Sequence, residues 1–300
     1  MLENPNESLD AQASKGELGS PLPFAAGIEI RPLTRFEEFR ECVRLQEEVW
    51  GQGFSQKVPE AILIIASRLG GIVCGAFGAD GTMAGFVFGL TGMEEGRVVH
   101  WSDMLAVRAG WRRRGIGSAL KLHQRELLIR AGVTRMYWTF DPLEVPNARL
   151  NFSRLGVVVR EYVEEMYGES GPPLHLGIGT DRFVAVWEMA SSRVKSRIQG
   201  GVGAEVLDES LKLPSALEVE EEGERVRPGE TRVDLEDPRI LVPVPADIQS
   251  LKEGDVELAR CWRRATRTVF RHYLSRGWEL REVTGEGNPV HYLLVREVGE

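Results

Sequence analysis

Ser102 to Leu120, SDMLAVRAGWRRRGIGSAL, is the stretch on which the reading of this chain turns. An apolar strand, Met104-Leu105-Ala106-Val107, runs into a turn at Ala109-Gly110. Three arginines follow, Arg112, Arg113 and Arg114, and then Gly115-Ile116-Gly117-Ser118. From Ile116 the spacing of Ala119/Leu120, His123, Leu127 and Ala131 predicts an amphipathic helix. A strand, a glycine-bearing loop and a helix start together make a cradle for an anion. Small residues let a phosphate approach the main chain, and the N–H groups of a first helical turn point toward it. The helix dipole adds roughly 0.3–1 kcal/mol, and arginines add charge-assisted hydrogen bonds.

Two familiar phosphate loops do not fit these residues. A P-loop requires Lys-Ser/Thr after its last glycine, and here Ser118-Ala119 follows Gly117. A dinucleotide fingerprint requires a third small residue where this chain has Leu120. Arg-x-x-Gly-x-Gly, read as Arg112, Gly115 and Gly117 between a strand and a long helix, resembles the acyl-CoA-binding signature of the GNAT acyltransferase superfamily.

The chain has 300 residues, room for one large or two modest domains. A formal charge of −8 argues against general nucleic-acid affinity and leaves residues 112–114 as a local basic feature. Cys42, Cys74 and Cys261 are scattered and odd in number, with neither a disulfide framework nor metal-ligand spacing. No secretory segment opens the sequence and no apolar run reaches membrane-spanning length. The expectation is a cytoplasmic protein that holds no metal and meets neither nucleic acid nor membrane.

Residues 1–27 read as a flexible tail, 28–190 as a folded domain, 191–238 as an acidic linker and 239–300 as a second folded unit. Ile28 to Arg31 alternates as a strand, and Thr34-x-x-Glu37 is a capping box. The helix it starts carries Phe36, Phe39, Val43, Gln46 and Trp50 on one stripe. Pro59 opens a second helix, Glu60 to Leu69, ended by Gly70-Gly71. Strands follow at Ile72–Phe77, Met83–Leu90 and Arg97–Val107, with a hairpin signal at Asp80-Gly81. After the loop and its helix come a strand at Val133–Phe140, a short helix at Asn147–Leu155, and strands at Val157–Val163 and Phe183–Trp187. This order is similar to that of the GNAT fold across residues 28–190: an α/β (α+β) architecture with a mixed central sheet flanked by helices.

Beyond the run Glu220–Glu224, order returns at Ile240-Leu241-Val242 and in a helix capped by Asp255, with a hairpin at Trp278–Val283 and Val290–Val295. This unit reads as a partial repeat, a half-GNAT extension. Phe152 to Val157 aligns with Tyr273 to Trp278, and the second copy lacks the Arg-x-x-Gly-x-Gly run. Extending the sheet, covering an acceptor pocket and making a homodimer contact all stay open as its role.

The resemblance implies a coenzyme held as an added strand between the strands ending at Val107 and near Phe140. Backbone groups of Leu105, Ala106 and Val107 would take the pantetheine arm, and amides from Arg113 to Ser118 the diphosphate. An amide near Leu105 would face the acyl carbonyl. It implies acetyl-CoA, or another acyl-CoA, as co-substrate and a small-molecule amine as acceptor. A lysine-like amine must lose about 4–5 kcal/mol to be neutral at pH 7, an α-amino group only about 1.4. A general base is therefore useful, and Asp103, just before the coenzyme-binding backbone, is the candidate, its other reading being a hydrogen-bonded structural aspartate at a strand end. The tyrosine that family members often use as general acid is replaced by Phe152. Tyr162, Tyr167 and Tyr273 read as packing residues. Asn147 reads as a helix cap with the pantetheine arm as a second partner, and Asp141 as a turn cap or a ligand for a substrate amine. His100 and His123 read as packing residues. A succinyl or longer acyl group, or a non-catalytic coenzyme-binding module, are the alternatives.

Overall fold

The computed structural model describes residues 27–168, 177–200, 213–222 and 225–296; the tail expected over 1–27 lies outside them except for Gly27. The chain divides into two compact units between Ala131 and Gly132, inside the stretch expected as one domain.

In the first unit, β1 (Glu29–Pro32), β2 (Ile72–Phe77), β3 (Met83–Glu94) and β4 (Arg97–Val107) form an antiparallel sheet in that order. Helices α1 (Phe36–Trp50) and α2 (Glu60–Arg68) pack on one face, where Phe39, Cys42, Leu45 and Leu63 meet Phe86, Phe88, Met104 and Ala106. Helix α3 (Ile116–Arg130) covers the other, its Ile116 and Leu120 set against Cys74, Ala76, Ala84 and Val87. Both apolar faces of the central strands are therefore buried, which is why β2 and β3 read as continuous apolar runs rather than as alternation.

Two details depart from the sequence reading. The capping box is shifted by one residue: Glu38, not Glu37, accepts from the Thr34 and Arg35 amides at 2.9 and 3.1 Å. Arg31, at the end of β1, selects it with a 2.7 Å guanidinium bond. The buried face of α1 turns accordingly, to Phe39, Cys42, Leu45 and Gln46, and Phe36 is 48% exposed. On α3 the buried positions are Ile116, Ser118, Leu120, Lys121, Gln124 and Leu128, so the expected stripe through His123 and Leu127 is rotated. Two long polar side chains occupy that buried face because partners on β4 await them, as described below.

The second unit holds β5 (Arg135–Phe140), α4 (Val145–Arg149) with a π-helical continuation to Leu155, β6 (Val158–Val163), β7 (Arg182–Glu188) and α5 (Ser192–Ile198). After these come β8 (Leu217–Glu222), β9 (Arg225–Thr231), β10 (Arg239–Val244), α6 (Ile248–Gly254), α7 (Val256–Leu274), β11 (Glu279–Thr284) and β12 (Val290–Val295). Its main sheet runs β5-β7-β6-β11-β12-β10, antiparallel throughout. The order is a palindrome of two strand–helix–hairpin units that join where Val159 of β6 faces Leu280 of β11. The aligned glycines, Gly156 and Gly277, both take left-handed φ at the helix exit, and each is followed by a strand two residues on. Phe183 and Phe152 from the first half interlock with Tyr292 and Phe270 from the second.

The expected linker, 191–238, is structured in its described parts. Ser191 caps α5, and Arg197 of that helix forms a buried ion pair with Glu282 of β11. Glu220 to Glu222 close the first strand of a hairpin, β8 with β9, in which Glu220 faces Arg227. Trp262 of α7 donates its indole N–H to the Val226 carbonyl at 3.2 Å, tying the hairpin to the helix. An arginine at the facing position and a helix against the partner strand suit an acid-bearing strand.

Candidate active site

Beta4 contains one residue more than its partner at a single point. Phe88 of β3 faces Met104 and Gly89 faces Ser102, leaving Asp103 as the extra residue of a β-bulge. A bulge resets the alternation of side chains, so Met104 and Ala106 enter the α1/α2 core while Ser102 and His100 turn toward α3. Asp103 stays accessible to solvent. Partial withdrawal of its carboxyl from water raises its pKa from the ordinary aspartate value, with the Trp101 side-chain hydrogen bond working against the rise.

The backbone beyond the bulge has a defined direction. The Arg108 amide donates to the Ala84 carbonyl on β3 at 2.9 Å. By the alternation of an antiparallel ladder, Ala106 also faces β3, and Leu105 and Val107 turn their N–H and C=O groups away from it. The side chain of Arg112 donates to the Val107 carbonyl at 3.1 Å, which fits that direction. Of the three residues expected to offer backbone groups to a ligand, Leu105 and Val107 are oriented to do so; the Ala106 groups belong to the β3 ladder.

A single 3₁₀ turn, Ala109–Trp111, leads from the strand into the arginine run. Arg112, Arg113 and Arg114 are all exposed, with Arg114 stacked over the Trp111 ring at 5.0 Å. Arg113 and Gly115 take left-handed φ values of 62° and 78°, and Gly115 is the N-cap of α3. No side chain caps this helix, so the first-turn amides of Ile116, Gly117 and Ser118 are not claimed by a capping group. Gly115 is required by its own backbone. Gly117 is not: a Cβ there would lie 3.5 Å from Leu105 and 3.9 Å from Val107, ordinary contacts. Nothing in the protein's packing calls for glycine at 117.

On the inner side of β4 runs a chain of buried polar groups that the sequence reading did not find. Lys121 Nζ donates to Ser102 Oγ at 2.7 Å, and Ser102 Oγ donates to Gln124 Oε1 at 2.9 Å. Gln124 Nε2 is 2.9 Å from His100 Nε2, and His100 Nδ1 is 3.0 Å from Thr91 Oγ1, which donates to the Gly70 carbonyl at 2.6 Å. The amide can only donate through its nitrogen, so His100 Nε2 accepts and the ring proton sits on Nδ1. Burial holds His100 neutral, with its pKa down to about 3, and drives that of Lys121 well below the usual lysine value. Gly89 makes room for the chain: a Cβ there would stand 2.3 Å from His100 Nε2. The available signal was polar Lys121 and Gln124 three residues apart beside the apolar positions of α3.

In the second unit the expected roles change. Asp141 is 3% exposed; both its oxygens take Arg263 Nη2 at 2.7 Å, and it caps the Leu143 amide at 2.8 Å. That is the turn-cap role with a buried ion pair added, and it leaves the carboxylate committed within the protein rather than to a substrate amine. Asn147 lies exposed inside α4, whose N-cap is Glu144, so it caps nothing. Phe152 is fully buried between Phe140 and Tyr292. Tyr162 donates to Asp181, Tyr273 to the Arg232 carbonyl, Tyr292 to the Pro142 carbonyl, and Tyr167 shares a bond with Thr139. Each hydroxyl therefore has an internal partner. Among the described residues no group of three His, Cys, Asp or Glu is arranged to hold a metal.

Residues 36–156 match the sequence model described as the acetyltransferase (GNAT) family. This stretch is a GNAT acetyltransferase domain. It takes in the bulge, the loop and α3, and ends at the glycine that closes the π-helix. No curated protein matches the chain. Among solved structures, the NatC complex bound to Gag peptide and CoA shares 17% identity, covering 54% of this chain and 98% of that one, with a TM-score of 0.44. A GNAT-family acetyltransferase from Streptococcus pneumoniae shares 18% over 53% and 97%, at 0.42. A putative acetyltransferase from Salmonella typhimurium with acetyl-CoA shares 16% over 56% and 98%, at 0.43. GNAT acetyltransferases are enzymes.

Proposed function

We propose that this protein is an acyl-CoA-dependent N-acyltransferase that moves an acetyl group from acetyl-CoA to the amine of a small molecule or amino acid, by direct attack in a ternary complex. The observation that carries the reading is the bare backbone at 115–118: a left-handed glycine N-cap, no capping side chain, and a glycine at 117 that the fold itself does not need. The first-turn amides of Ile116, Gly117 and Ser118 would hold the diphosphate, with Arg112, Arg113 and Arg114 around it. Outward backbone groups of Leu105 and Val107 would hold the pantetheine arm, the Leu105 amide lying near the acyl carbonyl. The thioester supplies an activated acyl group and a leaving thiol.

The Asp103 carboxylate takes a proton from the incoming ammonium or amine. A pKa raised above the ordinary aspartate value by partial withdrawal from water makes it a better base. No tyrosine is needed for the departing thiolate, whose pKa near 8.5 lets water protonate it. The test is thiol release from acetyl-CoA across a panel of amines, with succinyl-CoA and a longer acyl-CoA in parallel. Acetyl-dependent release with at least one amine supports the reading. Release only with the longer donors moves the acyl assignment.

A second reading has its own observation. Phe152, which stands where the family's tyrosine acid would be, is fully buried, and Tyr162 and Tyr273 are each hydrogen-bonded internally, as expected of a module that binds coenzyme and transfers nothing. Saturable coenzyme binding with no release for any acceptor would favour it.

A further inference from the structure

We propose that Lys121, acting through Ser102, is a positioning residue that holds the β4 bulge and thereby keeps Asp103 presented to the acceptor. This rests on the reading of Asp103 as the base. Lys121 and Ser102 are 6% and 3% exposed, and His100 and Gln124 are fully buried. None of the four lies in the glycine loop, and burying them without hydrogen bonds would be strongly unfavourable. The chain they form is not a proton path. Gln124 interrupts it, because an amide nitrogen that donates to His100 does not hand on a proton taken at its oxygen. What the chain fixes is geometry: it specifies which residues of β4 face α3.

The alternative conformation shows what is being held off. A strand without the bulge would keep Met104 and Ala106 in the α1/α2 core and return the residues before them to plain alternation. Ser102 would then swing into the cluster of Phe88 and Met104, and His100 would leave Gln124. Asp103 would turn inward onto α3 and meet Lys121, forming an ion pair that removes the carboxylate from the site. In the bulged form Lys121 instead takes the Ser102 hydroxyl, Gln124 takes His100, and Gly89 leaves the space that His100 and Gln124 need. One hydroxyl thus decides between an acid held out and an acid folded in.

The experiment follows the Asp103 carboxyl by ¹³C NMR titration in the full chain, assigned with D103N, in the wild type, S102A and S102T. In the wild type Asp103 titrates above the ordinary aspartate value. In S102A, with the hydroxyl gone, the signal moves to or below that value as the carboxyl turns toward Lys121, and turnover of acetyl-CoA falls at least about tenfold with its KM little changed. S102T, which keeps the hydroxyl, retains the wild-type titration. A folded S102A whose Asp103 titrates as in the wild type overturns the proposal, as does an S102T that behaves like S102A. K121M supplies a second route: there the inward position has no cation, so turnover falls without the downward shift, and unchanged turnover counts against the proposal. If D103N keeps full activity, the base assignment fails, and the titration still decides where the carboxyl is held.

Discussion

Asp103 and Asp141, two carboxylates that look alike in the sequence, differ because of one neighbouring fact each. Asp103 is the surplus residue of a bulge and keeps contact with solvent. Asp141 is enclosed with Arg263 and Arg182. Substituting them should therefore have opposite consequences. D103N should leave melting temperature and coenzyme affinity near wild type, lower turnover by about 10²-fold or more, and remove the acidic limb of the pH–rate profile. D141A should destabilise the fold by about 3–5 kcal/mol, because it leaves the Arg263 guanidinium buried without its counter-ion. The paired change D141L/R263M, measured by denaturant melts, should recover much of that loss. A stable D141A protein with a raised KM for its amine would return Asp141 to the list of substrate ligands.

At the scale of the element, α1 shows how far local sequence carries. Its existence, its Phe39 anchor and its acid-closed N-terminus were legible, as were the limits of β2 and β4, because apolar periodicity and glycine punctuation are local signals. The frame of the capping box was not, since Glu38 is chosen by Arg31, a residue seven positions back on β1. The same limit hid the polar chain on α3, whose Lys121 and Gln124 make sense only once Ser102 and His100 stand opposite. The acidic 217–222 segment looked solvated until its cross-strand arginine and its helix cover were in place. Glu38 also carries a pH signature. Burial alone would raise its pKa, yet the Arg31 and backbone hydrogen bonds hold it down to about 2. A carboxylate with a lowered folded pKa stabilises the protein above its unfolded value near 4.3, and that contribution fades as pH falls toward 2. E38Q should thus be less stable than wild type by about 1–2 kcal/mol at pH 7, with the gap closing below about pH 3. A gap that stays constant with pH would show that the charge is not what matters.

The second unit is the place for a prediction about the molecule as a whole. Its six-stranded sheet is continuous through β6 and β11, and its aromatic core draws on both halves. A chain ended after residue 200 would bare the β6 edge and remove Phe270 and Tyr292 from Phe183 and Phe152. Such an edge beside apolar surface pairs with other chains. The truncated protein should aggregate or melt without cooperativity, as read by light scattering and calorimetry; a soluble, cooperatively folding product would mean the C-terminal half is an appendage. For the account at large, everything returns to the amides around Gly117, and one substitution separates fold from ligand there. Alanine at 117 meets only ordinary contacts and favours the helix by about 0.5–1 kcal/mol, while on the proposed reading its methyl group would crowd a diphosphate bound to the neighbouring amides. Titration calorimetry of the full chain with coenzyme A, wild type against G117A, should give saturable one-site heat that weakens at least about tenfold in a variant whose melting temperature is unchanged or higher. No heat from the folded wild type, or equal affinity in G117A, would contradict the claim that this loop holds the coenzyme.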